Sequence, residues 1–323
     1  MTNLYDYVIY HRGCFDGFTG FFILNKTNRI QKNAIIYPDI PSAKEVPPNI
    51  DDKNIIIIDV AYKKEILQSI LDKAKKVTFI DHHVSIRDDV NNLNINKEHE
   101  IIYDEKMSGA TLVWQYFYNN KKMPLFLKYI QDNDIGAWKL KYTKPFILGL
   151  KVNYITEPTR ENMNKWNKLF NKKEVLKLIK KGFIYGEYHK YLIDINVKKY
   201  SMLRFPSKKL ITDFPEKFKK EGEYKVAVYN GGGCPDASSL GVEFMNKVGC
   251  DFVIMWNYQF DKKEFVLIFR SGGDKEENVV DVGDIAKLFG GGGHKQASAC
   301  SFSKNKYDIH DLFTSEILPR SNK

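Results

Sequence analysis

Three apolar bursts in the first third of the chain each end in an acid or a histidine, and they restrict the fold more than any other feature. Residues 7–10 run into His11, 55–58 into Asp59, and 77–80 into Asp81. Short runs so dense in Val, Ile, Tyr and Phe, without polar alternation, predict strands buried on both faces. Helix-like segments lie between them at 17–25 and 63–75, the second carrying Ile66, Leu67, Ile70, Leu71 and Ala74 on one face. This alternation predicts a parallel sheet flanked by helices. Ligands of such sheets bind in the crevice at the carboxyl ends of the strands, where His11, Asp59 and Asp81–His83 all fall.

Two further helices are expected at 108–118, opened by Ser108 as N-cap, and at 124–133. Residues 158–200 are charged and helical in period, and the basic stretch 172–181 reads as a solvated helical face. Beyond Phe205-Pro206 the pattern changes. Strands are expected near 224–229, 252–256, 265–269 and 298–302, with helices at 238–247 and 282–288 and a glycine run at 290–293. The expected architecture is therefore α/β, with an N-terminal parallel-sheet domain over 1–155 and a helical connector over 156–204. A smaller α/β domain over 205–318 and a basic tail over 319–323 complete it. A chain of 323 residues can supply each domain with its own core.

Composition narrows the class. With 43% hydrophobic and 14% aromatic residues the chain reads as globular rather than disordered. No apolar run reaches membrane-spanning length and no secretory leader pattern is visible, so a soluble, cytoplasmic protein is expected. The net charge of +10 suits a protein that meets polyanions, but richness in Lys, Asn and Ile accounts for it equally well. Charge therefore serves only to choose among phosphate-bearing substrates. The cysteines are scattered, against both a zinc ribbon and a disulfide scaffold, and Cys234, Cys250 and Cys300 read as small apolar residues.

The rim residues carry the chemistry. Asp59 and Asp134 offer hard oxygen donors, and His11 and His82 offer imidazole nitrogens. Such mixed shells suit Mn²⁺, Mg²⁺, Fe²⁺ or Zn²⁺. A pair of these cations can polarise a phosphoryl oxygen and activate water for in-line displacement. Asp59, ending a central strand, is the expected bridging ligand.

Ile80-Asp81-His82-His83 resembles the signature of the DHH phosphoesterase superfamily, which includes RecJ-like nucleases, nanoRNases and family II pyrophosphatases. The segment from His11 through Arg12, Gly13, Cys14, Phe15 and Asp16 to Gly17 is similar to that family's first motif, and Ile58-Asp59 to its second. Asp134-Ile135-Gly136 is similar to the fourth. Residues 290–293 with His294, Ala297 and Ala299 resemble the glycine-rich motif of the DHH-associated C-terminal domain.

The resemblance implies a metal-dependent phosphoesterase holding two divalent ions, Mn²⁺ first among the candidates. One ion would take His11, the position of Cys14, and Asp59; the other would take Asp16, Asp59, His82 and Asp134. His83 would face the phosphate, Asp81 would orient a neighbouring histidine, and Asp132 is the rival of Asp134. Cys14 departs from the family's Asp, leaving two readings: a thiolate ligand, or a lost ligand replaced by water. Arg270, Ser271, Gly291, Gly292, Gly293 and His294 are the implied substrate-binding residues, with residues 231–233 read as a turn. Bound between the domains, the substrate would be a short oligonucleotide, a cyclic dinucleotide or a nucleoside bisphosphate; pyrophosphate is disfavoured. The alternative is a non-catalytic nucleotide- or phosphate-binding regulator whose first metal site has decayed. No membrane or protein partner is implied, and a homodimer is left open.

Overall fold

In the computed structural model the described residues are 4–41, 43–233, 235–272 and 279–320; Cys234 and the end of the basic tail lie outside them. The chain divides into two compact units, Met1–Gly186 and Glu187–Lys323. Both are α/β.

Strands of the first unit are β1 (Tyr5–His11), β2 (Ile30–Asp39), β3 (Asn54–Ile58), β4 (Lys76–Asp81) and β5 (Glu100–Tyr103). Its helices are α1 (Phe15–Asn25), α2 (Lys64–Lys73), α3 (Arg87–Asn91), α4 (Gly109–Tyr118), α5 (Leu125–Asp134), α6 (Thr143–Asn153) and α7 (Arg160–Asn167). Helix α8 (Lys172–Asn196) runs on across the division. The strands form one parallel sheet in the order β2-β1-β3-β4-β5.

Both faces of this sheet are covered, which is why its central strands read as unbroken apolar runs. Val8, Tyr10, Ile56, Ile58 and Ile80 join one core with Phe18 and Phe22 of α1 and Val113 of α4. Their alternates Tyr7, Ile9, Ile55, Ile57 and Phe79 join the opposite core with Leu67, Ile70 and Leu71 of α2. Strands β1 and β3 are neighbours, yet α1 and α2 leave them for opposite faces. That divergence opens a crevice between their carboxyl ends, at a topological switch point.

Strands β2 and β5 were not expected from the sequence. Both are sheet edges: β2 is polar, half-exposed and carries Pro38, while β5 has only four residues. Edge strands need no continuous apolar run. Segment 156–204, expected as a connector, belongs to both cores: Trp166, Leu169, Val175, Leu178 and Ile179 pack into the first unit, and Ile193, Val197 and Tyr200 into the second.

The second unit holds β6 (Ser201–Phe205), α9 (Lys208–Asp213), β7 (Tyr224–Asn230), α10 (Ala237–Val248), β8 (Phe252–Gln259) and β9 (Glu264–Ser271). It continues with α11 (Val282–Leu288), β10 (Gly292–His294), β11 (Ala297–Ser303) and β12 (Ile317–Leu318). These strands form one sheet in the order β10-β11-β9-β8-β7-β6-β12, in which β7 and β8 are the parallel pair and α10 connects them. No helix among the described residues is long and apolar enough to cross a membrane.

Candidate metal centre

At the switch point, β1 delivers His11 as its last residue, and Asp59 follows β3 immediately. Asp59 adopts φ +62, a left-handed conformation that costs a non-glycine residue on the order of 1–3 kcal/mol. Its backbone N–H still donates to the Ile80 carbonyl at 2.9 Å, so the chain turns while tethered to β4. The Asp59 carboxylate is 1% exposed. His82 Nε2 lies 3.1 Å from Asp59 Oδ1, and His11 Nδ1 lies 3.4 Å from Asp59 Oδ2. The His11 nitrogen is nevertheless buried without a hydrogen bond.

Asp16 enters from the first turn of α1 and is also 1% exposed. Both its oxygens lie 3.2 Å from the Ala110 N–H at the start of α4, the end of a helix that attracts anions. Glycine makes this approach possible. A Cβ at Gly109 would stand 2.8 Å from Asp59 Cβ and 2.9 Å from Asp16 Oδ2. One at Gly17 would stand 2.6 Å from both the Cβ and the carbonyl oxygen of His11. Two carboxylates and an imidazole thus converge where no extra methyl fits.

The fourth side comes from α5, whose last residue is Asp134. Gly136, at φ +64, ends the helix in the left-handed conformation common beyond a helix C-terminus. Asp134 Oδ2 lies 3.1 Å from His82 Nε2 but has no hydrogen bond of its own. Asp132 is engaged elsewhere. Asp132 accepts the Lys139 N–H at 2.8 Å, the Leu140 N–H at 3.0 Å and the Thr143 hydroxyl, so it is spent on holding the loop after α5.

Asp81 performs a different task. Its Oδ1 accepts the His82 N–H at 2.7 Å, the His83 N–H at 2.8 Å and His83 Nδ1–H at 2.8 Å. Tyr103 from β5 donates to the His83 carbonyl at 2.8 Å. Sequence reasoning missed Tyr103, Gly109 and the Ala110 amide. The one available signal for the last two was the helix opening Ser108-Gly109-Ala110, with residues small enough for close approach.

Electrostatically the cluster relies on imidazoles alone for positive charge. Among the described residues no Lys or Arg forms an ion pair with Asp16, Asp59, Asp81 or Asp134. Burial, then the charges of Asp59 and Asp134, push the Asp16 carboxyl well above its ordinary pKa. Burial would raise Asp59 too, but the imidazoles of His11 and His82 outweigh it and hold Asp59 low. Burial opposes a charge on His82, yet Asp134 and Asp59 overcome it and push its pKa up to about 11. The Cys14 thiol is raised by burial and then by Asp59 and Asp16. Buried carboxylates left this way cost several kcal/mol each unless a positive charge reaches them. A divalent cation fits the need. Donor atoms of His11, Cys14 and Asp59, of Asp59, His82 and His83, and of Asp16, His82 and Asp134 all lie within 4.8 Å of one another inside each trio.

The second unit treats its expected residues less uniformly. Arg270 lines a small cavity of about 170 Å³ with Ser238, Gly241 and Gln296; its guanidinium donates to the Phe269 carbonyl at 2.8 Å and to Ser238 Oγ at 3.3 Å. Ser271 is buried and donates its hydroxyl to the Val280 carbonyl at 2.8 Å, which commits it to the fold. The glycine run, implied to bind substrate, is engaged by its own unit. The Gly290 and Gly291 amides close the end of α11 on the Lys287 and Ala286 carbonyls, while Gly292, Gly293 and His294 pair with β11. A Cβ at Gly291 would fall 2.1 Å from the Ala299 carbonyl, so strand packing demands that glycine. His294 stays exposed.

No protein-family model matches the chain. An uncharacterised protein of Acanthamoeba polyphaga mimivirus is 29% identical over 337 residues, covering 98% of this chain and 73% of that protein. Among solved structures, the pGpG-specific phosphodiesterase PggH from Vibrio cholerae gives a TM-score of 0.48 at 15% identity, over 93% of this chain and 94% of that one. A Methanococcus jannaschii protein described as a candidate family II inorganic pyrophosphatase gives 0.25 at 13% identity, over 95% and 97%. Function therefore rests on the side chains themselves.

Proposed function

We propose that this chain is a divalent-metal-dependent phosphoesterase of the DHH type, hydrolysing phosphodiester or phosphomonoester bonds of short oligonucleotides or small nucleotides. One observation supports this most: Asp16 and Asp59, both buried, meet His11, His82 and Asp134 in a cluster with no Lys or Arg counter-ion among the described residues. His11 and Asp59 would hold one ion, and Asp16, Asp59, His82 and Asp134 the other. Divalent cations held there would supply Lewis acidity toward a phosphoryl oxygen and would ease the ionisation of water to the attacking hydroxide.

The chain's own residues do the rest. The Asp81 carboxylate fixes the His83 ring by accepting Nδ1–H, which leaves Nε2 free for substrate. Burial lowers the His83 pKa and Asp81 more than restores it, so this ring carries a proton more readily than a free histidine. A protonated His83 at the cluster's rim, with 30% of its side chain exposed, is suited to grip a phosphate oxygen or to protonate a departing alkoxide. In the second unit, Arg270 is proposed to bind a phosphate group through the N–H groups its two internal bonds leave over.

A hydrolysis screen tests this reading, with Mn²⁺, Mg²⁺, Zn²⁺ and Fe²⁺ each supplied to the intact chain. Short RNA and DNA, cyclic dinucleotides, nucleoside bisphosphates and pyrophosphate are the substrates. The expected result is metal-dependent release of mononucleotide or phosphate that His82→Ala and Asp59→Ala abolish. Binding without turnover under every metal, or rates unchanged in both variants, refutes it.

A further inference from the structure

The two halves of the cluster differ in donor chemistry. On one side Asp16, His82 and Asp134 offer oxygen and nitrogen alone. On the other, His11, Cys14 and Asp59 bring together nitrogen, sulfur and oxygen, again within 4.8 Å of one another.

The local fold explains how sulfur reaches this place. Strand β1 ends at His11, and the turn through Gly13, at φ +71, returns the chain to start α1 at Phe15. Cys14 falls between them as the α1 N-cap, in an extended conformation with φ −100 and ψ 139. Ser, Thr, Asp and Asn are favoured there because their oxygens accept a helix N–H. Cys14 makes no such bond of ordinary geometry, although the Gly17 N–H of the first turn faces its sulfur. A second observation comes from its neighbour in the trio. His11 Nδ1 is buried without a hydrogen bond, an unused donor atom beside the sulfur and the Asp59 carboxylate.

Resting on the metal-centre reading above, we propose that Cys14 is a thiolate ligand and that the two cation positions are unlike. The His11–Cys14–Asp59 position selects a borderline-soft ion, Zn²⁺ or Fe²⁺. The Asp16–Asp59–His82–Asp134 position keeps a harder ion such as Mn²⁺ or Mg²⁺, with Asp59 shared. Thiolates favour Zn²⁺ and Fe²⁺, whereas carboxylates and water suit Mn²⁺ and Mg²⁺. The thiol gives up its proton to solvent as the sulfur–metal bond forms.

Cobalt(II) titration into the metal-stripped, intact chain provides the test. Ligand-field bands in the visible report any Co²⁺ site, while a thiolate ligand adds a strong charge-transfer band in the near ultraviolet. Wild type should show both, and Cys14→Ser should lose the near-ultraviolet band while keeping visible bands. Visible bands without the thiolate band in wild type, or a thiolate band that survives Cys14→Ser, overturn the proposal and leave the metal centre standing. No Co²⁺ bands at all overturn the metal centre and the proposal together. Cys14→Asp, checked for folding by circular dichroism, supplies a second measure by competition between Zn²⁺ and Mn²⁺. Losing even an outer partner costs roughly 10- to 100-fold in metal affinity, so the Zn²⁺ preference should fall at least tenfold. An unchanged preference refutes the assignment.

Discussion

Gly109→Ala separates a helix effect from a site effect by sign. Gly109 is the first residue of α4, and Ala is better than Gly in a helix by about 0.8–1 kcal/mol. Read as a helix position alone, the substitution should stabilise the protein. The structure says otherwise, because the new Cβ would stand 2.8 Å from Asp59 Cβ, 2.9 Å from Asp16 Oδ2 and 3.0 Å from Asp59 Oδ1. Forcing a methyl into a packed interior costs roughly 1–3 kcal/mol. Subtracting the helix gain leaves a net loss of about 0–2 kcal/mol, taken by moving the two buried carboxylates.

Gly186→Ala on α8 is the internal control. Its Cβ would meet only Leu148 Cδ1, at 3.3 Å, a flexible tip that can give way. That variant should gain up to about 1 kcal/mol. Urea unfolding followed by tryptophan fluorescence reads both, since Trp114, Trp138 and Trp166 lie in the first unit and only Trp256 in the second. Calorimetric Mn²⁺ titration should show Gly109→Ala binding weaker by on the order of tenfold or more, and Gly186→Ala unchanged. A Gly109→Ala protein as stabilised as Gly186→Ala, with wild-type Mn²⁺ affinity, would refute the close-approach argument.

Asp132→Asn should cost roughly 2 kcal/mol in urea unfolding, because the Thr143, Lys139 and Leu140 donors lose a charged acceptor, and should leave Mn²⁺ binding intact. Asp134→Asn should do the reverse, weakening Mn²⁺ binding with little loss of stability. His99 is buried and accepts the Val77 N–H through Nδ1 at 3.1 Å, and burial lowers its pKa below the ordinary 6.5. The unfolded chain then binds more protons than the folded one, so His99 contributes stability that is fully present above about 6.5 and lost as pH falls toward its folded pKa. The stability difference between wild type and His99→Gln, measured from pH 7.5 to 5 with roughly equal steps, should shrink on acidification; a difference independent of pH refutes this. Ser108→Ala should cost about 1 kcal/mol in the same unfolding assay, since Ser108 and Thr111 form the capping box that opens α4.

The central strands were legible because burial on both faces leaves no alternative to a continuous apolar run. The convergence of His11, Asp59 and His82 was legible because strand ends in a parallel sheet mark the crevice. The edge strands escaped, since β2 and β5 carry no such run. Asp132 and Asp134 are equally acidic in the sequence, but two positions apart on α5 they point to different sides, and Asp134 is the one beside His82. The glycine run suggested substrate binding because composition shows freedom but not use. The Gly290 and Gly291 amides close α11, and Gly292 and Gly293 pair with β11.

What unites the metal centre is that several unfavourable features fall on the same few residues. Asp59 is strained at φ +62, and Asp16 is buried beside a second carboxylate. Asp134 sits at the C-terminal end of α5, where the helix dipole repels an anion. None of these features stabilises the fold by itself, and the three carboxyl groups compete to carry negative charge in one region. A proton on His82 relieves part of the repulsion, since its nitrogen lies 3.1 Å from both Asp59 and Asp134, but the ring cannot reach every carboxylate at once. A doubly charged ion held among these donors would offset the repulsion between the carboxylates. An arrangement that costs stability without a counter-ion is one that would make cation binding favourable, so a ligand ion would stabilise the first unit in proportion to its affinity.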